Sequence, residues 1–151
     1  MQKRKGSSLN LEMNEKRFKE SPAVKKSFLS GKKGLLVDDE LQMIDILSKY
    51  FATEDCYTEK ALDGKSALEK MNNTPFDFIL CDINMPGMDG VTFYQQLKEM
   101  GSPFLDKVIF ITGDEMNHEI QEFLKSIPLL KKPFGLDDVK EAIRQLLAIR
   151  E

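Results

Sequence analysis

Cysteine is scarce in this chain of 151 residues, and long apolar runs are absent from it. The two cysteines, Cys56 and Cys81, lack CxxC spacing and a histidine cluster, which argues against a disulfide framework or a thiolate metal site. No run of about eighteen uncharged apolar residues exists, so no membrane insertion is predicted. The N-terminus, MQKRKGSSLN, lacks the apolar segment of a secretory signal. We therefore expect a soluble protein located in the cytoplasm.

The net charge of -3 conceals an uneven distribution of charge. Residues 1–33 carry ten Lys or Arg against three Glu, a net charge of +7, whereas the rest of the chain carries 12 basic and 22 acidic side chains, a net charge of -10. An acidic body argues against binding of nucleic acid through the folded domain. Residues 1–32 combine charge, serine and little apolar periodicity, so we predict a basic, mobile tail or linker there and one domain over residues 33–151.

From residue 33 onward, short apolar runs alternate with segments of helical periodicity. Strands are predicted at residues 35–37, 57–61, 76–81, 108–111 and 129–130, and apolar residues at helical spacing follow each of them. Asp63 is placed as the N-cap of the second helix. Five strands that alternate with five helices predict an α/β fold, a doubly wound (βα)5 sandwich with a five-stranded parallel sheet of the flavodoxin-like type.

Polar side chains follow four of the predicted strands, and in such sheets ligands bind beyond the carboxyl ends of the strands. These side chains are Asp38, Asp39, Asp82, Thr112 and Lys132. Three carboxylates brought together repel one another, which implies a bound hard metal or a proton relay. Mg2+ fits best, because it prefers carboxylate oxygens and shares its shell with phosphates. The alternative is that Asp38 and Asp39 merely cap the following helix.

The carboxyl ends of the strands also carry the Thr112 hydroxyl and the Lys132 ammonium, which are the kinds of group needed to hold a transferred phosphoryl group. Phosphoryl transfer depends mainly on positioning and charge neutralisation. A metal, a lysine and a hydroxyl or N–H group each take one phosphoryl oxygen while a carboxylate attacks in line. Asp82 is the natural nucleophile, since it ends the central apolar strand.

Five segments, in this order, resemble bacterial response-regulator receiver domains. They are LLVDDE at residues 35–40, ALDGKSAL at 61–68, DINMPGMDG at 82–90, ITG at 111–113 and KPF at 132–134. The resemblance spans about residues 33–150, and the third segment, placed after an acidic pair and before Thr and Lys-Pro, is highly specific. It implies a phosphoacceptor module of a two-component or phosphorelay system, either a stand-alone protein or the receiver of a hybrid histidine kinase.

The resemblance implies a role for each acidic residue of the site. Asp82 would accept the phosphoryl group from the phosphohistidine of a histidine kinase or phosphotransfer protein. Asp39 and Asp82 would bind Mg2+ directly, Asp38 would help through water, and Asn84 would supply its backbone carbonyl. Asn84 and Asp114 lie at positions that tune loss of the phosphoryl group in the family, so self-dephosphorylation is expected.

The resemblance also assigns the remaining site residues. Thr112 would bond a phosphoryl oxygen, and Lys132 would form an ion pair with it across a cis Lys132–Pro133 bond. Leu129 stands where the family carries a switching aromatic residue, so signalling through that residue is not expected here. The protein would not be a classical enzyme, because it would catalyse only the phosphorylation and dephosphorylation of its own aspartate. The sole histidine, His118, lacks the pattern of a phosphorelay histidine.

Two other functions remain open at the level of the sequence. A Mg2+-dependent phosphohydrolase of the haloacid-dehalogenase type also uses an aspartate nucleophile, but it places Asp-x-Asp on the first strand, where this chain has Asp38 and Asp39. A scaffold that ignores phosphorylation would be favoured if a pocket residue or the lysine were missing, and none is. Since the last predicted helix runs to Glu151, we expect output through contact with a downstream protein. The sequence leaves undecided whether phosphorylation causes the chain to dimerise.

Overall fold

The computed structural model describes residues 27–85, 87–113 and 118–150. Within these ranges the chain forms five strands, β1 Lys33–Val37, β2 Tyr57–Ala61, β3 Phe78–Asp82, β4 Val108–Thr112 and β5 Leu129–Lys131. The helices are α1 Leu41–Thr53, α2 Gly64–Asn73, α3 Gly90–Glu99, α4 His118–Phe123 and α5 Leu136–Arg150, with a 3-10 turn at Leu105–Lys107. None of these helices combines the length and the apolarity that a membrane span needs.

The five strands form one parallel sheet in the order β2-β1-β3-β4-β5. The predicted doubly wound α/β class is therefore confirmed. Strand order reverses between β1 and β3, so the carboxyl ends of these two neighbours mark the crevice where such sheets bind ligands. The third strand begins at Phe78, two residues later than predicted. Just before it, the Asp77 N–H donates to the Lys33 carbonyl and the Asp77 carboxylate accepts from the Lys33 N–H, so this residue already contacts the start of β1.

Helices cover both faces of the sheet, as parallel sheets require. Apolar residues of α2, α3 and the end of α4 form one buried cluster with one set of strand side chains, and those of α1 and α5 form a second cluster with the other set. In β4, Phe110 belongs to the first cluster, whereas Ile109 and Ile111 belong to the second. All five residues of β3 are buried, so Asp82 ends a strand that is shielded on both faces.

The segment just before β1 packs into the domain. Leu29 is 0% exposed and belongs to the core cluster of α1 and α5, and Phe28 packs against that cluster. The Ser30 hydroxyl donates a hydrogen bond to Asp55 Oδ2 at 2.7 Å. The predicted boundary after residue 32 thus differs from the structure, in which the packed body includes residues 28–32. Residues 1–26 of the predicted tail lie outside the described residues.

Candidate functional site

Three carboxylates meet at the carboxyl ends of β1 and β3. Asp38 and Asp39 follow β1, and Asp82 is the last residue of β3. Val37 and Cys81 are register partners on these adjacent parallel strands, so the next residues, Asp38 and Asp82, emerge side by side. One carboxylate oxygen from each aspartate lies within 4.8 Å of the others. The structure therefore brings together the acidic residues that the sequence singled out.

Two of the three carboxylates are taken out of water. Asp38 is 3% exposed and Asp82 is 5% exposed, whereas Asp39 is exposed. The backbone N–H of Glu40 donates to Asp38 Oδ1 at 2.8 Å, and that of Asn84 donates to Asp82 Oδ1 at 3.2 Å. Asp38 Oδ2 is buried and has no hydrogen-bond partner among the described residues. A buried carboxylate oxygen without a partner is unfavourable unless a proton or a cation compensates it.

Burial changes the acidity of both shielded carboxyl groups. Burial raises the pKa of Asp38 to about 6, the Glu40 N–H opposes the rise, and the charge of Asp82 adds to it. Burial also raises the pKa of Asp82, against the opposing effects of the Asn84 N–H and of Lys132. Both carboxylates therefore carry their negative charge at a free-energy cost that a nearby cation would relieve.

The donor set of this cluster suits a hard divalent cation. All the side-chain atoms that converge are carboxylate oxygens, and Asp38 Oδ2 supplies a buried oxygen that no described group satisfies. Mg2+ prefers oxygen ligands from one or two carboxylates and keeps part of its water shell. Asp39 is exposed, so water can reach an ion bound at the cluster. Asn84, exposed beside Asp82, stands at the rim of the same site. The residues present thus fit the ion.

Thr112 and Lys132 lie at the carboxyl ends of β4 and β5, the strands that lie beyond β3 in the sheet. Thr112 ends β4 and is 2% exposed. The Lys132 backbone N–H donates to the Thr112 carbonyl at 2.8 Å, and the Lys132–Pro133 peptide bond is cis, as expected. The lysine stem lies on Gly113, where an added Cβ would be 3.0 Å from Lys132 Cδ. The base of the lysine is therefore fixed, and its ammonium is close enough to Asp82 and Asp38 for their charges to act on it.

The Lys132 ammonium pairs with Glu40, a residue that the sequence did not place in the site. Lys132 Nζ lies 3.5 Å from Glu40 Oε1. Burial alone would lower the lysine pKa, but Asp82, Asp38 and Glu40 together outweigh burial and raise it. The ammonium is thus charged at neutral pH. One feature of the sequence could have indicated that Glu40 belongs to the site. It directly follows the aspartate pair at the start of a helix, where shorter side chains are favoured.

Gly90 shapes the loop after Asp82. A Cβ at this position would lie 2.8 Å from Ile83 Cα and 3.1 Å from the Asp82 carbonyl oxygen, so only glycine lets α3 begin this close to β3. Asp89 caps the helix by accepting a hydrogen bond from the Thr92 N–H at 2.9 Å. The sequence shows Gly90 within the segment DINMPGMDG, whereas the contact with Ile83 is visible only in the structure.

The remaining residues that the sequence singled out lie at the border of the site. Asp114 lies outside the described residues. His118 is exposed at the start of α4. Leu129 is half-buried and packs against the first core cluster beside its register partner Phe110.

Comparison with known proteins gives one family. The family described as response regulator receiver domain matches residues 35–144. The transcription factor SKN7 of Chaetomium thermophilum is 34% identical over 118 residues, which cover 76% of this chain and 15% of that protein. Sporulation initiation phosphotransferase F of Bacillus subtilis is 28% identical over 124 residues, which cover 81% of this chain and 98% of that protein. The chain thus spans a small part of the first relative and almost all of the second.

A solved structure agrees with this assignment. The response regulator TrrA of Thermotoga maritima, determined in complex with Mg2+ and BeF, superposes with a TM-score of 0.66 and 26% identity over 76% of this chain and 98% of that chain. The fold, the order of the strand-end residues and the extent of the family match agree with one another. The chain therefore belongs to the response regulator receiver domain family of two-component and phosphorelay signalling.

Proposed function

We propose that Asp82 accepts a phosphoryl group from the phosphohistidine of a histidine kinase or phosphotransfer protein, with Mg2+ as the cofactor. The observation that carries this proposal is the convergence of Asp38, Asp39 and Asp82, because one carboxylate oxygen from each lies within 4.8 Å of the others. Asp38 also has a buried oxygen, Oδ2, without a hydrogen-bond partner among the described residues. The complex of TrrA with Mg2+ and BeF, at 26% identity, supports the choice of metal.

The chemistry follows from the positions of the side chains. A carboxylate oxygen of Asp82 would attack the phosphorus as the bond from phosphorus to the donor nitrogen breaks, and the imidazole would leave with the electron pair of that bond. Asp82 and Asp39 would hold Mg2+ directly, with Asp38 acting through water and Asn84 through its carbonyl. When bound, the ion supplies positive charge that offsets the charge of the phosphoryl oxygens.

Two further side chains would hold the transferred group. The Thr112 hydroxyl would donate to one phosphoryl oxygen, and the Lys132 ammonium would pair with another. Both residues are anchored at the sheet edge by the bond between the Lys132 N–H and the Thr112 carbonyl. A new anionic group on Asp82 would draw them inward and bias the adjacent surface. Because Leu129 replaces an aromatic residue, backbone shifts of β5 and its neighbouring helices would carry that change to a downstream protein.

The phosphorylated state would decay by hydrolysis at the same site. Asn84 is exposed beside Asp82 and polar, so its side chain would help orient the attacking water. The reaction would be confined to the chain's own aspartate, and the receiver family is not one of classical enzymes, which disfavours a phosphohydrolase. A lifetime of the phosphoryl group in Mg2+ that is unchanged by Asn84→Ala and by Asp114→Ala would contradict this part of the proposal.

The test of the acceptor is labelling with a small acyl phosphate in the presence and absence of Mg2+. Intact mass should show the gain of one phosphoryl group in the parent only with Mg2+, and no gain in Asp82→Asn. Asp63→Asn is the matched control, because Asp63 is an exposed N-cap and asparagine caps equally well. A gain that persists in Asp82→Asn, or no gain from either an acyl phosphate or a phosphohistidine donor, would overturn the proposal. The location in the cytoplasm, the dimer and the membership of a hybrid kinase stay predictions from the sequence.

A further inference from the structure

Glu40 and Lys132 form an ion pair across the rim of the site, although they lie 92 residues apart in the chain. The Glu40 side chain is 63% exposed and that of Lys132 is 27% exposed. An exposed pair of this kind stabilises a fold very little, because solvent screens it and two long side chains lose freedom. Stability of the fold therefore does not account for the pair.

Glu40 is also an unusual residue for its place in the helix. It is the N-cap of α1, with extended backbone, yet its carboxylate makes no capping hydrogen bond within the described part of the chain. Short side chains serve this role best, and Asp63 and Asp89 cap α2 and α3 in that way. A residue that departs from a local rule beside a functional site is a candidate for a role in that site.

Hydrogen bonds hold the backbones of both partners, so the distance between the ammonium and the carboxylate can change only through rotation of the two side chains. The Glu40 N–H is bound to Asp38 Oδ1, and its carbonyl accepts the first hydrogen bond of α1 from Ile44. The Lys132 N–H is bound to Thr112, and the lysine stem lies on Gly113. The lysine head group pairs with Glu40 at the rim of the site, and the charge of Asp82 also acts on it.

We propose that Glu40 is a positioning residue that holds the Lys132 ammonium at the rim of the site while Asp82 is unmodified and releases it when Asp82 carries a phosphoryl group. This inference rests on the proposed function of Asp82. The pair is weak enough to be broken by a stronger anion, since a phosphoryl group brings additional charge and several acceptor oxygens. Glu40 then competes with the phosphoryl group for one ammonium.

Competition predicts that removing the Glu40 charge strengthens binding of a phosphoryl mimic. The dissociation constant of beryllofluoride at saturating Mg2+ should fall in Glu40→Gln by about two- to fivefold, the factor that an exposed ion pair supplies. Asp45→Asn is the matched control, because Asp45 is an exposed carboxylate on the same helix, 3.3 Å from Lys60 Nζ. Asp45→Asn should leave the constant unchanged.

A double-mutant cycle distinguishes competition from a general effect of charge. Beryllofluoride affinity is measured in the parent, in Glu40→Gln, in Lys132→Gln and in the double variant, and Mg2+ affinity is measured separately without beryllofluoride. If Glu40 acts through Lys132, Glu40→Gln should have no effect on beryllofluoride affinity in the Lys132→Gln background. An equal gain in both backgrounds would overturn the proposal, and so would unchanged or weaker binding by Glu40→Gln alone.

The same experiment separates this inference from the proposed function. A parent protein that is folded and binds Mg2+, but takes up neither beryllofluoride nor a phosphoryl group, would overturn the role of Asp82 and this inference with it. Binding by the parent without coupling between Glu40 and Lys132 would overturn the role of Glu40 alone. Both side chains are partly exposed, so the variants are expected to fold, and their urea unfolding midpoints check this directly.

Discussion

The ring of Phe78 lies over the backbone of Gly34, its register partner on the neighbouring strand, so closely that a Cβ on residue 34 would overlap the ring. Both residues are buried, and Phe78 is 0% exposed. Glycine in a strand interior weakens the strand unless another group approaches closely, and here the phenyl ring is that group. The contact joins β1 to β3, the two strands whose ends carry the acidic site.

Gly34→Ala should therefore lower the free energy of unfolding by about 1–3 kcal/mol or more, because overpacking forces shifts in a dense core. Urea denaturation measures the change. Gly135→Ala is the control, since a Cβ there would meet only Asp138 Oδ2 at an ordinary 3.7 Å. Combining Gly34→Ala with Phe78→Leu should recover part of the loss, and no recovery would contradict the overlap as the cause.

Truncation of Leu29 should destabilise the domain as much as truncation of a residue in the central core. Its side chain is 0% exposed between α1 and α5. Leu29→Ala should cost about 2–5 kcal/mol of unfolding free energy, the range for a buried leucine that leaves a cavity. Ile46→Ala, at an exposed position of α1, should cost little by comparison. Equal, small effects of both substitutions in urea titrations would show that the segment before β1 does not belong to the domain.

Acid should stabilise the metal-free protein over a defined window of pH. The pKa of Asp38 is raised from 3.8 to about 6, so the folded state binds a proton more tightly than the unfolded state. Unfolding free energy should therefore fall as pH rises from about 4 to about 6 and then level off, by up to about 2–3 kcal/mol from this group. Asp82, whose pKa is raised as well, contributes with the same sign.

Urea titrations at several pH values in EDTA measure this dependence, with Asp38→Asn as the comparison. The unfolding free energy of the variant should change less between pH 4 and 6, because the amide at position 38 does not titrate. A wild-type protein whose stability rises with pH over this window would show that the aspartates are stabilised as anions in the folded state, against the burial argument.

Addition of Mg2+ should offset the free-energy cost of holding the clustered carboxylates in their charged form. A ligand that binds only the folded state stabilises it by about 2.7 kcal/mol at a hundred times its dissociation constant. The thermal unfolding midpoint at pH 7 should thus rise with Mg2+ concentration in the parent. Asp39→Asn should shift this dependence to higher concentrations without changing the core, because Asp39 is exposed. A similar rise in both proteins would point to nonspecific binding of the ion.

Much of the architecture follows from local pattern. Runs of apolar residues predicted four of the strands, all but Tyr57–Ala61, and the spacing of residues such as Ile44, Leu47 and Phe51 predicted the helices. Asp63 was correctly placed as an N-cap, since its side chain accepts a hydrogen bond from the Ser66 N–H. These features depend on neighbours within one or two turns of the chain, which the sequence shows directly.

Sequence by itself determined the alternation of strands and helices, the parallel sheet that this alternation demands, and which polar residues end the strands. Tertiary structure alone decided the partners of those residues: Glu40 for the Lys132 ammonium, Phe78 for Gly34, and the core position of Leu29. The physical reason is that such contacts join residues distant in the chain. Their distances are fixed by strand register and helix docking, which arise only when the whole core packs.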